Sequence, residues 1–343
     1  MNKDLKGKKI NFIFSPELYD LQVNWNARLA KEEAFFKKII AERNIKKILD
    51  VGCGTGHHLQ FFYDKILELQ SQKQIQNQIN VQQQIQSQPQ MQSQPQIQSQ
   101  PQMQSQKQIQ IQQQIKPQQE LKPRQNEPNF KENEIKEDEI KIVGIDPSKD
   151  AIDYAKENIV KSKKICLLVG DFDDVEIKLQ KFVFKSGITD QFDLITCLGN
   201  TLPILGNRRK VKIALKTTRK LLKKNGIAVF QFLNFEPKII EKERFYQPKV
   251  IKKDEYKYIF LKHFEYGKVK TRADFLIIQL DNNDNLINFF NNSSFLCTLR
   301  KNLFLKMVYN AGFKKVEIFG PSGLEDFNKN KHISLLAVLY KSL

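Results

Sequence analysis

Residues 48–56 read Ile48-Leu49-Asp50-Val51-Gly52-Cys53-Gly54-Thr55-Gly56, an apolar run that breaks into three glycines at every second position. The run predicts a buried strand feeding a glycine turn, with a helix from Leu59 to about Leu69 behind it. In parallel α/β sheets a ligand sits at the carboxyl end of such a strand. Glycine suits that place because the backbone must approach the ligand closely, in torsions that a Cβ disfavours. The spacing is not the dinucleotide fingerprint G-x-G-x-x-G, since the last position of that pattern is His57.

From Gln70 to Glu139 the chain loses its globular character. About half of residues 70–119 are glutamine, and 87–110 is a run of hexapeptides, SQPQMQ, SQPQIQ, SQPQMQ and SQKQIQ. Such a segment buries too little apolar surface to offset its ordering entropy and is expected to be disordered. Pro89, Pro95 and Pro101 also oppose one long strand. Two readings stand: an expanded surface loop, which costs little free energy, or a segment for partner binding or self-association.

Removing the insert restores a domain. Lys141-Ile142-Val143-Gly144-Ile145-Asp146 is a short strand ending in an acid. An acid about twenty residues beyond the glycine loop accepts hydrogen bonds from ribose hydroxyls in this fold class. Gly56 and Asp146 are 90 positions apart (146 − 56), and without roughly seventy inserted residues the spacing falls to about twenty.

Further strands are expected at Ile165–Val169, Phe192–Leu198 and Gly226–Phe232, with helices at Lys149–Val160 and Asn207–Lys223 between them. This alternation predicts an α/β fold: a Rossmann-like, doubly wound, mostly parallel seven-stranded sheet. Asp50, Gly52, Asp146, Asp171 and Asn200 all fall at its carboxyl-end loops. From about Phe245 the period changes to two, giving an antiparallel appendage placed to cover the site. It turns at Glu265–Lys268 and Asp281–Asn285. A helix at Leu299–Asn310 and strands at Val316–Phe319 and Ile333–Leu339 close the fold. The expected organisation is 1–69 and 140–244 as two parts of one domain, 70–139 as insert, 245–297 as appendage and 298–343 as the domain's end.

These motifs carry a family resemblance. "LDVGCGTG", "GIDPS", "GDF", "CLGNTLPIL", "FLNFEPKII" and the helix "WNARLAKEEAFFKKII" resemble class I S-adenosylmethionine-dependent methyltransferases, in particular the glycine N-methyltransferase-like small-molecule branch. The resemblance implies S-adenosylmethionine as cofactor. It places Arg28 at the methionine carboxylate, with Asp50, Gly52, Gly54 and Gly56 at the methionyl-ribose part. Asp146 would hold the ribose, Asp171 and Phe172 would border the adenine, and Leu198 and Asn200 would face the methyl group and acceptor. Tyr19 would orient that acceptor. The chain departs from the enzyme acting on glycine: Leu233 stands where an arginine would hold the amino-acid carboxylate, and Ile204 where the branch often has histidine. A strong charge-assisted contact is thereby lost, so a small amine or a more apolar acceptor fits better than glycine.

The chemistry implied is in-line displacement, in which the protein mainly aligns the partners in a dry site. His57, His58, His263 and His332 are expected to be structural or exposed, while Tyr256 and Tyr258 are further candidates to orient the acceptor. A formal charge of +18 raises nucleic acid as a partner. Yet only nine of the 56 basic residues are arginine and the lysines are spread along the chain. The Asp/Asn-Pro-Pro-aromatic signature of base-amine enzymes is missing too, and Cys197 lacks the preceding proline of a cytosine-C5 nucleophile. The rival readings are an RNA or protein methyltransferase and a non-catalytic cofactor-binding scaffold using its glutamine tract. Cys53, Cys166, Cys197 and Cys297 have no C-x-x-C spacing and suit free thiols in a reducing cytoplasm. No metal site, membrane span or secretion signal is expected.

Overall fold

The structure, a computed structural model, describes residues 15–86, 140–182, 191–236 and 244–342. The chain divides into two units, Met1–Gln72 with Lys136–Leu343, and Lys73–Ile135. Along the chain, α1 (Pro16–Gln22) and α2 (Trp25–Arg43) precede β1 (Lys47–Val51) and α3 (His57–Gln86). Then come β2 (Lys141–Asp146), α4 (Lys149–Tyr154), β3 (Ile165–Val169), α5 (Val175–Phe182), β4 (Phe192–Cys197), α6 (Thr201–Ile204), α7 (Arg208–Leu221) and β5 (Leu222–Leu233). The appendage is β6 (Phe245–Lys253), β7 (Tyr256–Tyr266), β8 (Lys270–Leu280) and β9 (Leu286–Cys297), and the chain closes with α8 (Lys301–Asn310), β10 (Lys315–Phe319) and β11 (Ser334–Tyr340).

The main sheet has seven strands in the order β10-β11-β5-β4-β1-β2-β3. β11 runs antiparallel to both of its neighbours, and the remaining pairs are parallel. The parallel strands are apolar on both faces because both are covered. Ile48, Ile142, Leu194 and Ile227 point to the side packed by Phe36 and Ile40 of α2 and Phe62 of α3. Leu49, Val143, Ile195 and Ala228 point to the other, packed by Val211 and Leu215 of α7 and Phe304 of α8. Phe36 and Phe62 are fully buried with ring centroids 5.0 Å apart, so truncating either to alanine costs about 3–5 kcal/mol.

The sheet, its switch of direction and the appendage match the sequence reading, with some corrections. α3 does not stop near Leu69. Residues 73–86, the described part of the second unit, are helical throughout. Glutamine is a good helix former, no proline occurs before Pro89, and Gln76 donates to Asn80 one turn on at 3.0 Å. The hexapeptide run and the rest of the expected insert lie outside the described residues. After α4 the helix widens into a π-turn, Ala155–Ile159. α7 ends at Leu221 rather than Lys223, and β5 begins at Leu222 rather than Gly226.

β6–β9 form an antiparallel four-stranded meander in sequence order. β6 occupies the start of the period-two stretch and pairs with β7 from Phe245↔His263 to Lys253↔Tyr256. Between β7 and β8, a Cβ on Gly267 would sit 2.4 Å from the Lys270 carbonyl oxygen, so the turn needs glycine. Among the described residues no helix is long and apolar enough to cross a membrane.

Candidate functional site

β1 ends in the loop that the sequence singled out. Gly52, Gly54 and Gly56 have φ of +82°, +54° and +84°, the left-handed region that side chains disfavour. A Cβ on Gly52 would also meet Thr201 Cγ2 at 2.2 Å. The Gly52 N–H donates to the Ile145 carbonyl at 2.7 Å, which ties the loop to β2. Asp146, at the end of β2, accepts from the Gly54 N–H and the Ser148 N–H, one on each carboxylate oxygen, both at 2.9 Å. It is only 7% exposed. Burial pushes its carboxyl up to about 6, against the pull of those two N–H groups.

α1 and α2 fold against this loop through Asp20, a residue the sequence reading passed over. Asp20 accepts from Thr55 Oγ1 (2.6 Å) and Trp25 Nε1 (2.9 Å), and its other oxygen meets His57 Nε2 at 2.8 Å. The indole of Trp25 stacks on His57 at 4.4 Å, and the Arg28 guanidinium lies 5.0 Å from the Trp25 ring.

A second buried cluster centres on Glu32, one turn beyond Arg28. Glu32 meets His58 Nε2 at 2.9 Å and Arg28 Nε at 3.3 Å, and accepts from Gln231 Nε2 at 3.0 Å. Gln231 Oε1 in turn accepts from Arg28 Nη2 at 3.0 Å. Burial would raise the Glu32 carboxyl, but the His58 hydrogen bond and charge, with Arg28 and Gln231, take it down to about 2. His58 is therefore structural, as expected. Asp50 is 1% exposed and accepts from Thr196 Oγ1 at 2.7 Å. Burial pushes its carboxyl up, and its bond to Thr196 ties β1 to β4.

A cavity of about 620 Å³ is walled by α1, α2, the ends of β4 and β5, and the appendage. It brings together three predicted residues, Tyr19, Arg28 and Asn200, with Gly199 and Gln231. Burial raises the Tyr19 phenol; the Arg28 charge and its hydrogen bond oppose this. Asn200 has φ +77° and joins two strands: its N–H donates to the Gln231 carbonyl and its Oδ1 accepts from the Leu233 N–H, both at 3.1 Å. Ile204 and Leu233, where the family pattern would put histidine and arginine, are both in the wall. Tyr246, Phe264, Phe275 and Lys262 face it from the appendage. Tyr256 and Tyr258 are not in the wall; Tyr246 takes the position expected of them.

The other predicted residues sit nearby with less surface. The Gly170 N–H donates to the Asp146 carbonyl oxygen at 2.9 Å, which sets Asp171 beside the acid of β2. Asp171 keeps exposed surface, with Oδ1 accepting the Asp173 N–H at 2.8 Å. Phe172 is 5% exposed and part of the core, and Leu198 is 4% exposed, with Gly199 and Asn200 lining the cavity in its stead.

Asp20, Glu32, Gln231, Thr196 and Lys262 went unread in the sequence. Gln231 had a signal: it is the lone polar side chain of Ala228-Val229-Phe230-Gln231-Phe232-Leu233.

No family model matches the chain, and no curated protein matches it in sequence. Solved structures do match in fold. A sugar N-methyltransferase from Streptoalloteichus aligns over 98% of this chain and 97% of its own, with 13% identity and a TM-score of 0.56. An S-adenosylmethionine-dependent methyltransferase from Clostridium acetobutylicum aligns over 94% of each chain, with 13% identity and a TM-score of 0.53. An amino pentose methyltransferase from Micromonospora echinaspora, solved with S-adenosylmethionine bound, aligns over 97% and 99%, with 12% identity and a TM-score of 0.51. At these identities the likeness is one of architecture: this chain has the Rossmann-like fold of the S-adenosylmethionine-dependent methyltransferases.

Proposed function

We propose that the protein is an S-adenosylmethionine-dependent methyltransferase of the glycine N-methyltransferase-like kind, methylating a small molecule at an amine nitrogen. The observation that carries this reading is the pairing of the buried Asp146 carboxylate with the Gly54 N–H, which joins the glycine loop after β1 to the acid that closes β2.

The residues present suit that cofactor. Each oxygen of Asp146 takes one backbone N–H, and a carboxylate has about four acceptor sites, so two remain for a pair of ribose hydroxyls. Gly52, Gly54 and Gly56 keep side chains out of the approach to β1. Arg28, already oriented by Glu32 and Gln231, keeps further donors for the methionine carboxylate, and Asp171 would border the adenine. When bound, S-adenosylmethionine supplies a sulfonium methyl that the acceptor's lone pair takes in line as the carbon–sulfur bond breaks and its electron pair neutralises the sulfur.

The chain itself then has to hold a neutral amine in place and keep water out. Phe232, Leu233, Phe264 and Phe275 make the walls apolar, which disfavours the protonated ammonium form of the amine. Tyr19 is the polar group suited to accept one of its N–H bonds. Asn200, with its own Oδ1 committed to Leu233, acts as a fixed boundary. Two of the matched structures are described as methyltransferases of a sugar nitrogen and of an amino pentose, which supports amino sugars as the first acceptors to try.

The test is a turnover screen with S-adenosylmethionine over amino sugars, amino acids, simple amines and matched alcohols, read as methyl product by mass spectrometry. A methylated amine is the expected product. Methylation of the alcohols alone would contradict the assignment to nitrogen.

A further inference from the structure

The even-numbered residues of β7 form one face, Tyr256, Tyr258, Phe260, Lys262, Phe264 and Tyr266, because side chains alternate along a strand. The rings run in contact on either side of the lysine: Tyr258 and Phe260 are 6.4 Å apart, Phe264 and Tyr266 5.8 Å. Phe260 and Phe264 are buried, at 2% and 4% exposure. The cross-strand neighbours of Lys262 are Tyr246 on β6 and Phe275 on β8. A lysine thus stands in the middle of an aromatic surface, and its ammonium lies 5.7 Å from the centre of the Phe275 ring.

A lysine on an apolar face normally snorkels to water or pairs with an acid. Lys262 is half-buried in the cavity wall, and among the described residues no carboxylate lies within ion-pair distance of it. Among the described residues, the acid in the wall, Glu32, is committed to His58, Arg28 and Gln231. The other charges there are Arg28 and Lys31, and Lys249 on β6 adds its repulsion. Burial first, then Lys249, pushes the Lys262 ammonium down to about 8. Among the described residues the cavity therefore holds a surplus of positive charge with no free negative group to meet it.

We propose that Lys262 is the anion-binding position of this cavity: the small molecule methylated here carries a carboxylate or a phosphate, which Lys262 holds against the aromatic floor. This rests on the methyltransferase reading of the same cavity. It relocates the anion contact rather than removing it, since Leu233 stands where the glycine-specific pattern would place an arginine. The acceptor is anchored from the appendage, opposite the wall formed by Tyr19 and Asn200.

The experiment uses the full chain as wild type, Lys262→Met and Lys262→Arg. Each is titrated with inorganic phosphate and, separately, acetate at matched ionic strength, and with S-adenosylmethionine as a control. Methionine keeps the length of the side chain and removes a strained charge, so Lys262→Met is expected to fold with a raised Tm. Wild type should bind at least one of the two anions, Lys262→Met should bind it about tenfold more weakly, and Lys262→Arg should restore it. Affinity for S-adenosylmethionine should be the same in all three.

Turnover then separates the two anion sources. Glucosamine 6-phosphate and muramic acid are compared with neutral glucosamine, and the preferred anionic acceptor should show a KM that rises in Lys262→Met with much less change in kcat. The proposal is overturned if wild type binds neither anion, if Lys262→Met binds as wild type does, or if glucosamine matches its anionic counterparts in kcat/KM. Failure of wild type to bind S-adenosylmethionine, with an anion response that still depends on Lys262, would sink the methyltransferase reading and leave the anion site standing.

Discussion

Asp146 accepts the backbone N–H of Gly54 at 2.9 Å, although 92 positions separate them in sequence. That hydrogen bond joins the ends of two adjacent parallel strands and places a buried carboxylate beside a loop with no side chains on its glycines. Replacing Asp146 with alanine should weaken S-adenosylmethionine binding by about 1–3 kcal/mol, measured by calorimetry against wild type. Unchanged affinity would remove this acid from the cofactor site.

The same carboxyl gives a pH prediction. It must be ionised to accept hydroxyl hydrogen bonds with both oxygens, and burial holds its pKa at about 6. Cofactor affinity should therefore fall as pH drops below about 6 and level off above it. Stability moves the other way. A carboxyl whose pKa is raised on folding favours the fold below its unfolded value near 3.8, and that contribution is lost as pH rises through about 6. Titrations between pH 5 and 8 check the first trend, and urea unfolding of wild type and Asp146→Ala checks the second.

Glu32 should behave oppositely to Asp146 in stability. Its pKa is lowered to about 2, so its stabilising effect is present above the unfolded value near 4.5 and is lost as pH falls towards 2. Glu32→Ala leaves His58 buried without its partner at 2.9 Å, and breaking a buried pair from one side costs about 3–5 kcal/mol. Arg28 loses its orientation at the same time, so cofactor affinity should fall too. Denaturant unfolding reads the first effect and calorimetry the second; a variant as stable as wild type would show that the cluster does not hold α2 to the sheet.

Gly52→Ala meets two obstacles, a φ of +82° and a contact of 2.2 Å with the Thr201 side chain. The combined substitution Gly52→Ala with Thr201→Ser removes one methyl of that contact but leaves the φ. We expect the single variant to lose cofactor binding and the double variant to recover part of it, read by thermal shift with S-adenosylmethionine.

Every described side chain from Ser71 to Gln83 is exposed. A chain with 70–138 replaced by a short Gly-Ser linker should fold and keep its cofactor affinity. An unfolded product would contradict the boundaries drawn around the insert.

Much of the fold was legible because its signals are local. The strand-glycine-helix passage at Ile48–Gly56 and the acid closing Lys141–Asp146 need only pattern and spacing, once the glutamine tract is set aside. The period-two stretch after Phe245 likewise announced an antiparallel sheet. What escaped was set by contacts between distant positions. Gln231 meets Arg28 and Glu32 across 203 and 199 positions, and Asp20 meets Thr55 across 35; nothing in the local sequence marks such pairs. Helix propensity was also underweighted against composition, which is why α3 was expected to end near Leu69 and instead runs to Gln86. Lys262 was readable as the one cation on the aromatic face of β7, but its want of an acid partner among the described residues belongs to the folded chain alone.

The most direct measurement is a calorimetric titration of the purified protein with S-adenosylmethionine and, separately, with NADH. The account predicts micromolar binding of S-adenosylmethionine, weakened in Asp146→Ala, and no heat from NADH. Folded wild-type protein that binds no S-adenosylmethionine, or binds it equally well without the Asp146 carboxylate, would contradict it.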